Sequence, residues 1–293
     1  MEKAFGAIPP IVTPFKEDGS LDEGNLGKLV EFLCDHIHGL FVCGSYGSGP
    51  LMNVEERKRV AEIVAKHRKD RTQFIVHVGT TNVRDSVELA KHAEGVGAHK
   101  VAAVGPYYYH HNRDSLRCFY ERIVQAVTIP VYMYYNPKLS GYTIEADFLD
   151  ELAQLGISGI KDSSFDMMFH ADCIRKVRKD DFDVVVGTEA MFLSASTLGT
   201  RAFIPGMGNA WPEICAELYE AVAENRMEEA REIQRRVNRV RDIMYLAKST
   251  VVAVYAMLDL RGICTVYPRE PFVPLPDDEK AILRAELEKA GLL

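Results

Sequence analysis

Ile157-Ser158-Gly159-Ile160-Lys161-Asp162-Ser163-Ser164 passes from an apolar run directly into polar residues. It reads as a short buried strand ending at Lys161, with a loop beginning after it. Lysine in such a place is physically odd, because a buried ammonium is costly unless it is paired or gives up its proton. An uncharged lysine is also a nucleophile, and its usual use is Schiff-base formation on a carbonyl substrate. Taken by itself, Gly159 to Ser164 is more commonly a solvated lysine at a strand end. The chain on either side decides between the two readings.

Outward from this stretch, similar apolar runs recur with amphipathic segments between them. Ala7 to Thr13, Gly39 to Cys43, Gln73 to Val78, Lys100 to Val104 and Pro130 to Tyr135 precede it, and Asp183 to Val186 and Ala202 to Ile204 follow. Most are continuous and β-branched, as expected of parallel strands covered on both faces. Asn53, with Glu56 three residues on, marks the start of one intervening helix. Eight strand–helix units at a period of about thirty residues predict an α/β fold, a (β/α)8 TIM barrel. A doubly wound sheet is the alternative, but no G-x-G-x-x-G follows the first strand.

After Trp211 the strands stop. Pro212 to Asn225, Met227 to Ala247, Thr250 to Leu258 and Asp277 to Leu293 read as helices, more than barrel closure needs. The expected organisation is therefore a barrel over residues 1–225 and a small C-terminal helical region over 226–293.

The chain has 293 residues, 47% of them hydrophobic and 26% charged, enough to bury a large core. A net charge of −7 argues against nucleic acid or an anionic membrane as the main partner. Neither a secretory signal nor an apolar run of spanning length is visible. The six cysteines are scattered without a C-x-x-C, which fits a reducing cytoplasm and no zinc site.

In barrels of this kind the reacting groups stand at the C-terminal strand ends and on the loops that follow. Those ends read Thr13-Pro14-Phe15, Gly44-Ser45-Tyr46-Gly47-Ser48, His77-Val78-Gly79-Thr80 and Gly105-Pro106-Tyr107-Tyr108-Tyr109. Tyr134-Tyr135-Asn136-Pro137-Lys138-Leu139-Ser140-Gly141, Lys161, Gly187-Thr188-Glu189 and Ile204-Pro205-Gly206-Met207-Gly208-Asn209 complete the series. They supply hydroxyls, backbone amides in glycine-rich turns and one lysine, with no cluster of metal-ligand spacing. His77 within a strand reads as a satisfied core histidine, and Glu189 also reads as an acid at a helix start.

These strand ends resemble the dihydrodipicolinate synthase and N-acetylneuraminate lyase family, barrel enzymes that act on pyruvate through a lysine Schiff base. The resemblance runs from Thr13 to the segment Pro271–Leu275. Gly-Ile-Lys-Asp-Ser at Gly159 to Ser163 and Pro-Tyr-Tyr at Pro106 to Tyr108 carry most of it. It implies that Lys161 attacks the C2 ketone and that Tyr134 moves protons as the C–C bond forms or breaks. Ser45 and Tyr108 would complete a relay to Tyr134, Tyr108 reaching in from a neighbouring subunit of a homotetramer built of tight dimers. The amides of Ser45 and Tyr46 would hold the pyruvate carboxylate, and the Ile204 carbonyl would point at the site. Gly44, Leu139, Ser163, Gly187, Glu189 and Gly206 are the further substrate-binding positions. No cofactor beyond the covalent Schiff base is implied.

Leu139-Ser140-Gly141 matches the lyase branch, where dipicolinate synthases carry an arginine in place of Leu139. Leucine cannot pair bidentately with the carboxylate of an aldehyde partner. His77-Val78-Gly79 also matches the lyases, and Glu189 keeps an acid where they have aspartate. Tyr46 departs from both branches, which carry a small hydroxyl residue there, and Ser48 replaces a glutamate. Ala190 and Gly206 replace a glutamate and a serine that lyases use on the sugar. The expected activity is a pyruvate-dependent lyase of a 2-keto acid. Condensation of pyruvate with aspartate semialdehyde, or keto-acid binding without turnover, are the alternatives.

Overall fold

Eight parallel strands, each continuous with a helical crossover, order the chain around a closed sheet. The computed structural model describes residues 2–293. In chain order the first half contains β1 (Gly6–Ala7), α1 (Glu23–Cys34), β2 (Gly39–Val42), α2 (Val54–His67), β3 (Gln73–His77) and α3 (Val83–Gly95). Then come β4 (Lys100–Val104), α4 (Arg113–Val124), β5 (Val131–Tyr135), the single turn α5 (Pro137–Ser140) and α6 (Ala146–Gln154). β6 (Gly159–Asp162), α7 (Met167–Lys176), β7 (Asp183–Val186), α8 (Phe192–Ser196) and β8 (Ala202–Phe203) finish the sheet. The chain ends with α9 (Pro212–Ala223), α10 (Met227–Met244), α11 (Thr250–Leu260) and α12 (Asp277–Lys289).

Neighbouring strands pair in sequence order from β2 to β8, and β8 pairs with β1. The last seam, between β1 and β2, is a parallel bridge from Pro10 to Phe41. The fold is the expected (β/α)8 barrel with additional C-terminal helices. The first strand is shorter than the expected Ala7 to Thr13 because Pro9 and Pro10 have no N–H to give to a ladder. Single bonds replace it: Ile8 N donates to Phe203 O at 2.9 Å, and Ile11 N to Phe41 O at 3.0 Å.

Strand alternation sorts the side chains into two cores. Phe74, Val76, Met133, Tyr135, Ile160, Val184 and Val186 face the helices in the larger core. Phe41, Ile75, Ala102, Val104, Tyr132, Tyr134 and Val185 fill the barrel interior. The N-terminal end of that interior is closed by Asp183, whose carboxylate accepts from Tyr132 Oη at 2.6 Å and Ala4 N at 2.8 Å. The helices begin where side chains cap them. At α2, Asn53 Oδ1 accepts from Glu56 N at 2.9 Å, and Glu56 Oε2 from Asn53 N at 3.0 Å. Among the described residues, no helix is long and apolar enough to cross a membrane.

Candidate active site

Ile160 packs outward among the helices, so the period of two turns Lys161 into the barrel. The register then sets Lys161 directly beside Tyr134 of β5, with Val185 of β7 on its other side. The lysine is only 4% exposed. Its Nζ lies 3.7 Å from the centre of the Tyr134 ring and 4.2 Å from that of Phe41. Burial pushes the Lys161 ammonium below the usual lysine range, against the pull of Tyr134. For Tyr134 burial acts upward, but the charge of Lys161 and hydrogen bonds from Ser45 and Asn136 outweigh it and hold the phenol below the usual tyrosine range. The two buried groups thus shift one another, the ammonium drawing the phenol down.

Two groups reach Tyr134 Oη from loops. Ser45 Oγ, after β2, is 3.2 Å away, and Asn136 Nδ2 donates at 3.4 Å. The Ser45 loop is folded by its own bonds, Ser48 N to Ser45 O and Gly49 N to Gly44 O, with Cys43 and Ser48 in the left-handed region at φ +58° and +53°. Among the described residues, the amides of Ser45 and Tyr46 donate to no protein acceptor. Such a pair of free N–H groups at a cavity edge suits a small anion.

The cavity above Lys161 has a volume of about 430 Å³. It brings together Ser45, Tyr46, Tyr134, Leu139, Lys161, Ser163, Gly187, Glu189, Ile204 and Gly206. Gly187 is required by space: a Cβ there would meet Ser163 Oγ at 1.9 Å and the Asp162 carbonyl at 2.7 Å. Leu139 stands at the mouth, 58% exposed. Gly44 does not line the cavity and shapes the loop behind it. Tyr108 is also outside it, 86% exposed, with its ring against Tyr109. His77 is a satisfied interior residue: Nδ1 bonds to Cys43 O at 3.0 Å and Nε2 accepts from Val104 N at 3.1 Å.

Glu189 is engaged within the protein. Its Oε2 accepts from Gly206 N at 2.9 Å, and its Oε1 faces Arg241 Nε at 3.6 Å. Burial nevertheless pushes this carboxyl above the usual range. Arg241 is a charged group of the cavity that sequence reading missed. It comes from α10, lines the cavity, lies 4.3 Å from the centre of the Tyr245 ring and donates to Tyr245 Oη at 3.1 Å. Among the described residues, no group of three or more His, Cys, Asp or Glu is arranged to hold a metal ion.

Comparison with known proteins gives this geometry its context. The family profile described as the dihydrodipicolinate synthetase family matches residues 3–290. A 4-hydroxy-tetrahydrodipicolinate synthase of Chlorobium limicola is 31% identical, covering 98% of both chains. An uncharacterised DapA-like lyase of Halobacterium salinarum is 32% identical over 98% of this chain and 94% of its own. Among solved structures, YagE of E. coli, a prophage protein of the dihydrodipicolinic acid synthase family in complex with pyruvate, superposes with a TM-score of 0.94 at 27% identity over 99% of both chains. The chain belongs to the dihydrodipicolinate synthetase family, and so to the pyruvate-dependent aldolases, lyases of class I that work through a lysine Schiff base.

Proposed function

We propose that the chain is a lyase of the N-acetylneuraminate lyase type that cleaves or forms a 2-keto acid with a smaller, less hydroxylated tail than sialic acid. The observation that carries the reading is the buried pair: Lys161 Nζ is 3.7 Å from the Tyr134 ring centre, and Tyr134 Oη is 3.2 Å from Ser45 Oγ. Neutral Lys161 adds to the C2 carbonyl and loses water to give the Schiff base. The carboxylate sits on the amides of Ser45 and Tyr46. In cleavage, the Tyr134 phenolate takes the proton of the C4 hydroxyl. The C3–C4 bond then breaks, its electron pair passes into the enamine and the aldehyde leaves. Protonation at C3 and hydrolysis release pyruvate and restore Lys161.

The tail is read from Leu139 and Gly206, which line the cavity, and from Ala190, next to Glu189, which does not. They offer no side-chain donor or acceptor to a polyol, and each hydroxyl left desolvated and unpaired costs about 1–3 kcal/mol. Glu189 is the remaining acid at that side, with both oxygens already directed at Gly206 and Arg241. We place the enzyme in the cytoplasm, in keeping with six cysteines that form no disulfide, and expect it to work as a tetramer of tight dimers.

A second reading is condensation of pyruvate with aspartate semialdehyde. Arg241 favours it, because it brings to the cavity a cation able to pair with a second carboxylate although position 139 supplies none. One coupled assay separates the two. A panel of 2-keto acids is scored by released pyruvate with lactate dehydrogenase, and aspartate semialdehyde is tested by pyruvate consumption. The expected result is a small 2-keto acid ahead of both N-acetylneuraminate and aspartate semialdehyde in kcat/KM. Efficient cleavage of N-acetylneuraminate, with the others at background, refutes the short-tail reading.

A further inference from the structure

Gly206 follows β8 with φ −62° and ψ −44°, a conformation open to any residue, so its glycine is not a backbone requirement. Space is the requirement. An ideal Cβ on Gly206 would lie 2.6 Å from both Cζ and Oη of Tyr46, and 3.1 Å from its Cε1. Tyr46 comes from the loop after β2, on the far side of β1, and its Oη reaches Met244 Sδ of α10 at 3.9 Å. The phenol therefore occupies the place where a side chain at 206 would project.

The same wall continues through Glu189 and Arg241. Gly206 N gives its hydrogen to Glu189 Oε2, the other carboxylate oxygen faces Arg241, and Arg241 is stacked on Tyr245. All of these residues line the one cavity. Glu189 and Arg241, the charged groups of this wall, are directed at one another and at Gly206 N and Tyr245.

We propose that Tyr46 and Gly206 are an interlocked, specificity-determining pair: the ring seated over Gly206 takes cavity volume and limits the length of the 2-keto acid tail. The inference rests on the Schiff-base aldolase reading and names what sets its substrate size. A bulky residue at 46 demands glycine at 206, and a residue with a side chain at 206 demands a small one at 46. The two positions trade volume, as overpacked sites do.

Two measurements test it. The first is a melting cycle on the wild type, Gly206→Ala, Tyr46→Ala and the double variant. Gly206→Ala should lower Tm by several degrees in the wild-type background and by little in the Tyr46→Ala background, because the clash has gone. Equal shifts in the two backgrounds overturn the interlock. The second compares kcat/KM for N-acetylneuraminate and for a short 2-keto acid. Tyr46→Ala, which opens space without a clash, should raise the long-to-short ratio by about tenfold or more, with borohydride trapping of pyruvate on Lys161 still detectable. An unchanged ratio with trapping retained overturns the gate. Failure of the wild type itself to trap pyruvate counts against the aldolase reading, while the melting cycle still decides whether the pair is interlocked.

Discussion

At the scale of single residues, Lys161 shows how position becomes chemistry. One step of strand alternation separates Ile160 in the outer core from Lys161 in the interior. Only the neutral amine attacks a ketone, and burial lowers the pKa of Lys161 from the ordinary 10.5. Borohydride trapping with pyruvate should therefore rise with pH and reach its half-maximum below 10.5, with the label on the peptide holding Lys161. A half-maximum at or above that value would show that burial does not tune the amine. The same shift acts on stability. Between the lowered folded pKa and 10.5 the unfolded chain binds the extra proton, so stability rises with pH across that window and is lost as pH falls through it. Lys161→Arg should abolish the adduct, since a guanidinium stays charged.

Lys161 was legible in the sequence as a lysine that ends an apolar run, whereas Tyr134 and the Ile204 carbonyl were legible only through the family resemblance. Arg241 was not legible. It belongs to a helix whose other arginines make surface ion pairs, Arg231 with Glu228, Arg235 with Glu232, Arg236 with Glu217 and Arg239 with Glu286. Nothing in the pattern of α10 separates the one that turns inward. The contact of Tyr46 with Gly206 joins loops about 160 residues apart, beyond any local signal.

At the scale of elements, the barrel is weakest as a ladder where its shortest strands meet. β1 and β8 have two residues each, and Pro9 and Pro10 contribute no donors. Asn209, fully buried, takes over part of the work: Oδ1 accepts from Val12 N at 2.9 Å, and Nδ2 donates to Pro10 O and Gly206 O at 3.0 Å each. Asn209→Ala strands two buried backbone groups, Val12 N–H and Pro10 C=O, at about 1–3 kcal/mol each, while Gly206 O keeps the Asn209 amide. Thermal unfolding should show a midpoint lower by roughly 3–10 °C. A shift within a degree or two would mean that the seam closes without this side chain. Sequence reading found both strands but took the first as continuous through Thr13, because a hydrophobic run does not reveal where ladder donors are missing. We propose the division between barrel and C-terminal region at residue 225, after the crossover helix α9. The later helices still belong to the site's construction: Arg241, Tyr245 and Thr250 line the cavity, and Tyr255 Oη donates to Thr13 O at 2.7 Å.

At the scale of the whole molecule, the hydroxyl chain that ends on Tyr134 is short. Ser45 Oγ meets Tyr134 Oη, and among the described residues no second side chain hydrogen-bonds to that serine. Tyr108 meanwhile is held at φ +82° with 86% of its surface exposed, a strained conformation spent on solvent if the chain acts alone. We propose that Tyr108 serves the site of a neighbouring copy, so that activity requires at least a dimer. Tyr108→Phe should lower turnover while borohydride trapping remains, because Lys161 is untouched. Mixing tests the sharing directly. When Tyr108→Phe and Lys161→Arg subunits re-associate at random in equal amounts, half of the dimers are mixed, and each has one site combining Lys161 of one chain with Tyr108 of the other. About a quarter of all sites then regain full function by this symmetry argument, although the Lys161→Arg parent is inactive and the Tyr108→Phe parent slow. Activity no higher than the mean of the two parents, or a fully active monomer at high dilution, refutes the shared site and returns Tyr108 to a surface role.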